Sequence, residues 1–99
     1  MKKKCYSDHL KQRIREENIP RGIPNRVFEE ACQTFFDTQD NRLIKVAKIK
    51  YRRGGKKKDV AVPYDENNSG KIVLVTCFPL QREDKKSRIE RDRWIPIGK

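Results

Sequence analysis

The most apolar run in this chain is Ile-Val-Leu-Val-Thr-Cys-Phe at residues 72–78, set between Asn67-Asn68-Ser69-Gly70 and Pro79. Seven residues are too few for a membrane span or a typical buried helix, and the run is rich in β-branched side chains. It therefore reads as a strand buried on both faces. Nothing next to it in sequence completes its hydrogen bonds, so the other elements are expected to be arranged around it. Thr76 is the odd residue, because it sets a hydroxyl in the middle of the run.

The segments before this run supply its neighbours. Residues 42–52 alternate, with Leu43, Ala47, Ile49 and Tyr51 on one side together with Lys45, and Ile44, Val46, Lys48 and Lys50 on the other. Arg53-Gly54-Gly55-Lys56 is a hairpin turn, and residues 57–64 return with Val60, Val62 and Tyr64 on one side. A second tight connection at residues 65–70 leads into the apolar run. Strands joined by connections this short pair antiparallel, because a parallel pair needs a crossover of a dozen residues or more.

Two helices are expected upstream. Ser7 or Asp8 caps the first, over residues 7–18, whose apolar stripe is only Leu10 and Ile14. Two prolines and a glycine in residues 19–25 break it, and Pro24 then suits the first turn of a second helix running to about residue 37. Val27, Phe28, Ala31, Cys32, Phe35 and Phe36 fall at helical spacing along that segment. Downstream, residues 81–93 are nearly all charged, with Asp84 and Arg88, and Lys86 and Glu90, four apart. That stretch reads as a solvated helix or tail, after which Trp94-Ile95-Pro96-Ile97 is apolar enough to dock as an edge strand. The expected fold is α+β: two N-terminal helices packed on one face of a three- to four-stranded antiparallel meander, in a single domain spanning residues 1–99. Its core lies at about residues 6–80, with a charged extension over 81–99.

Charge narrows the partner. The chain has 25 Lys and Arg against 14 Asp and Glu, a net charge of +11, which favours phosphate contacts and makes nucleic acid the leading partner class. A thermophile-like surface would raise both signs of charge, whereas this excess is one-sided. The basic hairpin residues Arg52, Arg53, Lys56 and Lys57, with Lys48 nearby, suit a nucleic-acid backbone, and the alternative reading of that hairpin is a solvated tip. Tyr51 and Tyr64 are the aromatic candidates for base stacking, because Phe28, Phe35 and Phe36 are expected in the core. Cys5, Cys32 and Cys77 lack metal-site spacing, and with one histidine in the chain neither a metal nor another cofactor is expected. Free thiols of this kind fit a reducing cytosol, and no segment has the apolar length of a leader or a membrane span.

Ser-Asp-His-Leu-Lys-Gln-Arg at residues 7–13, Asn-Ile-Pro-Arg-Gly-Ile-Pro at 18–24 and Val-Leu-Val-Thr-Cys-Phe-Pro at 73–79 carry a resemblance. In that order, over residues 6–79, they resemble the RelE-like branch of the barnase, EndoU, colicin and RelE superfamily of ribonuclease toxins. The resemblance implies a metal-independent endoribonuclease acting on RNA at the open face of the sheet. It further implies a possible ribosome association, a neutralising antitoxin protein as partner, and a cytoplasmic location. By the same similarity His9 and Arg13 match the first-helix motif, Lys45 or Lys48 the basic position of the first meander strand, and Thr76 the polar position of the last.

The chemistry of these residues agrees with that role. Cleaving RNA without a metal needs proton transfer at the 2′ hydroxyl and the leaving oxygen, with cations to hold the phosphate. His9 is the chain's one histidine, the side-chain type that ordinarily titrates near neutrality. Arg13 grips a phosphate through two donors, a sheet lysine adds a point charge, and the Thr76 hydroxyl donates to a phosphate oxygen. Each residue also has a plainer reading: His9 as a surface residue of the helix, Lys45 as a side chain reaching past apolar neighbours to water, and Thr76 as an ordinary strand threonine. The alternative function is a non-catalytic nucleic-acid-binding or regulatory module on the same scaffold. A third reading is a protein-interaction domain whose charge serves solubility.

Overall fold

The computed structural model describes residues 4–50, 55–81 and 83–97. In chain order the elements are β1 (Lys4–Tyr6), α1 (Asp8–Glu17), α2 (Ile23–Glu30), β2 (Gln33–Asp37), β3 (Arg42–Lys50), β4 (Lys57–Glu66), β5 (Ile72–Leu74), β6 (Phe78–Pro79), α3 (Asp84–Glu90) and β7 (Trp94–Ile97). One mixed sheet holds all seven strands in the order β1-β5-β4-β3-β2-β7, with β6 also paired to β4. This corrects the expected three- to four-stranded antiparallel meander with helices on one face. Three departures account for the difference, and each has a local cause.

The first departure is β1. Lys4, Cys5 and Tyr6, which look like no more than a basic opening, pair parallel with Ile72, Val73 and Leu74. The central apolar strand thereby gains a second neighbour from the far end of the chain. The second departure is β2. Helix α2 ends at Glu30, Ala31 turns extended at φ −59° and ψ 129°, and residues 33–37 become a strand antiparallel to β3. The apolar residues of 27–36 fit helical spacing, but Phe35 and Phe36 also alternate across a sheet, where aromatics are favoured. The Asp37 carboxylate closes the β2–β3 turn by accepting from the backbone N–H groups of Gln39 and Asp40, so the segment pairs back on β3.

The third departure breaks the apolar run itself. Leu74 pairs with Tyr64 and Phe78 with Ala61, so four steps along the run face three along β4. Between those pairs stands Pro63, whose carbonyl accepts from Val75 N–H at 2.9 Å but which has no N–H to return. The ladder opens there as a bulge at residues 75–77. Helix α1 closes the gap: Ser7 Oγ donates to the Val75 carbonyl at 2.6 Å, and Arg13 Nε donates to the Cys77 carbonyl at 2.6 Å. Ser7 is also the α1 cap, accepting from Leu10 N–H at 3.0 Å.

Both sheet faces are covered. Leu10, Ile19, Ile23 and Val27 from the helical segments pack on Ala47, Ile49, Val60, Val62, Tyr64, Ile72 and Leu74. On the other face Phe35, Ile44, Val46, Ala61, Leu80 and Trp94 form a second cluster, joined by Phe78 and by Ile89 of α3. The charged segment is therefore part of the body. Trp94 is 1% exposed, and β7 pairs with β2 as the edge strand read from the sequence. Asp84 does not pair with Arg88; its carboxylate accepts from Gln81 N–H at the start of α3. No described helix is long and apolar enough to cross a membrane.

Candidate anion-binding cleft

On the α3 side of the sheet an open cleft of about 390 Å³ forms where the bulge, α1, α3 and the β2–β3 turn meet. Its floor is apolar, from Ile44, Pro63, Phe78 and Trp94, and four arginines and two aspartates line it. The bulge matters here, because it puts half-buried Thr76 among the lining residues while Cys77 stays buried. Burial pushes the Cys77 thiol up to about 12 in spite of the nearby Arg13, which leaves it an inert packing group.

The four guanidiniums differ in what they are free to do. Arg13 is held by the Cys77 carbonyl and by Glu17 one turn on, and Arg42 by Asp65 at 2.9 Å. Arg88 has no carboxylate partner among the described residues. Its guanidinium carbon lies 4.9 Å from the Trp94 ring centre and 5.6 Å from that of Phe78, and its Nη1 is buried without a hydrogen-bond partner. Arg93 differs, because it is ion-paired with Asp37: its Nε lies 3.7 Å from Asp37 Oδ1, buried and without a hydrogen bond. Asp37 is 4% exposed and fully occupied, because its other oxygen accepts from Trp94 Nε1 at 3.3 Å. Thr76 Oγ1 bonds no other described residue. Of the lining residues, Arg88 therefore carries a guanidinium with no ion pair and Thr76 a hydroxyl with no acceptor among the described residues, and such donors favour a bound anion.

The candidates read from the sequence divide between locations. Arg13 and Thr76 line this cleft together. His9 is exposed on α1 and is not among the lining residues. Lys45 lies on the opposite face, where its Nζ donates to Thr34 Oγ1 at 3.1 Å and sits 5.5 Å and 5.8 Å from the Phe28 and Tyr64 ring centres. Tyr64 is 6% exposed, edge-on to Phe28 at 5.0 Å, so its ring is committed to packing. Lys48 and Lys57 line a second groove of about 380 Å³ with Lys58 and Leu80, and Lys56 is exposed beside Lys57. Lys48 and Lys57 share a sheet face with Ile44 and Ala61, so this groove and the arginine cleft open on the same side. Tyr51, Arg52 and Arg53 lie outside the described residues.

Sequence reasoning missed Arg42, Arg88, Arg93 and Asp40, all of which line the cleft. One signal was present: Arg88 and Arg93 both precede, within six residues, the only tryptophan of a strongly charged segment, and a tryptophan there must dock somewhere and carry its neighbours with it. Among the described residues no cluster of three or more His, Cys, Asp or Glu has the geometry to hold a metal ion. Compared with protein-family models, with curated proteins and with solved structures, the chain matches none.

Proposed function

We propose that this chain binds nucleic acid, with RNA as its target class, through phosphate contacts on the α3 side of the sheet. The observation that carries the reading is the shared face: an arginine cleft with uncommitted donors and a lysine-lined groove open on one side of a protein with a net charge of +11. From Arg42 to Lys48 along β3 is about 20 Å at ~3.3 Å per residue, a span suited to a few nucleotides of single strand. The test is fluorescence anisotropy with labelled single-stranded RNA over a series of salt concentrations. Log affinity should fall linearly with log salt, by about 0.7 for each phosphate neutralised, and a Lys48→Gln, Lys57→Gln variant should lose about 1.4 of that slope. Affinity independent of salt, or no binding, overturns the reading.

A second reading, metal-independent endoribonuclease activity, is favoured by one observation: Arg13 and Thr76 line the same cleft. In that reading they hold the scissile phosphate. His9, exposed on the same helix, or the exposed Asp40 carboxylate at the cleft supplies the base. The RelE-like resemblance, a cytoplasmic location, ribosome association and an antitoxin whose acidic segment covers the basic face all go with this reading. RNA incubated in EDTA with the wild type, with a His9→Ala, Arg13→Ala variant and with Asp40→Asn decides it. Cleavage by the wild type that either variant abolishes supports it; equal cleavage by all three, or none by any, removes it.

A further inference from the structure

We infer that the outer side of α1 carries a second nucleic-acid site, so that one copy of this chain holds two segments of single strand at once, one on each side of the sheet. This rests on the nucleic-acid reading for the class of ligand and adds a bridging activity to it. The site is an open hollow of about 610 Å³ between α1 and the turn that follows it. Tyr6 and Ile14 form its apolar wall, and Lys11, Arg15 and Arg21 line it against a single carboxylate, that of Asp8. The three cations are exposed, and none has an ion pair among the described residues. The other acids of α1 are used elsewhere: Glu16 accepts from Gln12 Nε2 at 2.8 Å, and Glu17 pairs with Arg13.

Position along the helix sets the direction of this hollow. Leu10 packs on the sheet face of Ala47, Ile49, Val60 and Val62, whereas the arginine cleft and the lysine groove open on the face of Ile44, Val46 and Ala61. At about 100° per residue, Lys11 and Arg15 stand on the flank of α1 away from Arg13, the helix residue that reaches the cleft. The two basic surfaces therefore lie on opposite sides of the sheet. Folding alone does not call for the second one. Lys11 and Arg15 are four apart on one stripe, a like-charge spacing that destabilises a helix by itself and that an anion bound between them relieves. Tyr6 adds the other component of a single-strand site. Its hydroxyl donates to the Arg21 carbonyl at 2.7 Å and accepts from Asn25 N–H at 3.2 Å, which fixes the ring on the wall beside the cations. Cations next to a fixed aromatic ring take both parts of a nucleotide, phosphate and base, whereas the carboxylates of an acidic peptide use the cations alone.

Analytical ultracentrifugation of the purified chain with an excess of dye-labelled oligouridine, about six nucleotides long, counts the sites. The wild type should carry two strands per chain. An α1-side variant, Lys11→Gln, Arg15→Gln, Arg21→Gln, should carry one, and so should an α3-side variant, Lys48→Gln, Lys57→Gln, Arg88→Gln, each with a cooperative thermal melt. With protein limiting, two non-complementary RNAs labelled as energy-transfer donor and acceptor should show transfer with the wild type and none with the α1-side variant. Two strands retained by the α1-side variant overturn the inference. So does oligoglutamate that displaces oligouridine from the α3-side variant at a tenfold lower concentration, because it assigns the hollow to an acidic protein. One strand per wild-type chain also overturns it, and the variants then separate the two readings. Loss of that strand only in the α3-side variant keeps the nucleic-acid reading and removes the second site. Loss only in the α1-side variant leaves the hollow as the one site and removes the α3-side reading together with bridging.

Discussion

Replacing Ser7 tests how the bulge is held. Its hydroxyl acts twice, accepting from Leu10 N–H as the cap of α1 and donating to the carbonyl of Val75, which Pro63 leaves without a ladder partner. Ser7→Ala removes both bonds. Loss of an N-cap costs about 1 kcal/mol. A part-buried carbonyl stripped of its donor costs about another 1 kcal/mol. The sum, about 2 kcal/mol, corresponds in a chain of this length to a fall in Tm of about 10 °C. Ser7→Thr keeps both bonds and should stay near the wild type. Ser7→Asp keeps the cap acceptor but sets a carboxylate against the Val75 oxygen, so it should recover little of the loss. Urea unfolding followed by circular dichroism measures all three. If Ser7→Ala unfolds within about 0.5 kcal/mol of the wild type, or Ser7→Asp matches Ser7→Thr, the bulge does not depend on α1 in the way described.

Three further outcomes follow from the same structure. Trp94→Ala should cost about 3–5 kcal/mol, since a large side chain only 1% exposed leaves a cavity and strips Asp37 of a donor; a loss under 1 kcal/mol in urea unfolding would mean that the α3–β7 segment is not part of the cooperative fold. Iodoacetamide at pH 8 should modify exposed Cys32 and spare Cys77 in the folded protein, read by mass spectrometry of peptides, because burial holds the Cys77 proton to about 12. The sign of the pH dependence comes from the same thiol. Unfolded it ionises near 9.0, so its contribution to stability is full below that value and is lost between there and about 12. Half-buried Tyr6 and buried Tyr64, both raised above 10.0 chiefly by desolvation, act in the same direction. Tm should therefore fall from pH 8 to pH 10.5, and less so in Cys77→Ala.

Much of the sheet's interior was legible because alternation is a local property. The faces of β3 and β4 follow the expected division, with Ala47, Ile49, Val60, Val62 and Tyr64 in one cluster and Ile44 and Val46 in the other. Helix α1 was legible from a capping serine and two apolar residues four apart. What was not legible depends on partners distant in sequence. Lys4-Cys5-Tyr6 is a strand only because β5 has a free edge for it. Phe35 and Phe36 carry helix and strand periodicity equally, and pairing with β3 and β7 decides between them. The break in the apolar run was set by Pro63, which lies in another strand well upstream of the bulge at residues 75–77. The candidate site divided in the same way: Arg13 and Thr76 come together because the bulge forms, whereas Arg88 and Arg93 reach the cleft only through the docking of Trp94.

That docking gives the protein a built-in optical probe. The chain has a single tryptophan, and its indole forms one wall of the cleft, 4.9 Å from the guanidinium carbon of Arg88. Any ligand that draws this cation off the ring alters the electrostatic surroundings of the sole indole. Intrinsic emission, excited where tyrosine does not absorb, then follows occupancy without a dye, an attached fluorophore or an engineered reporter.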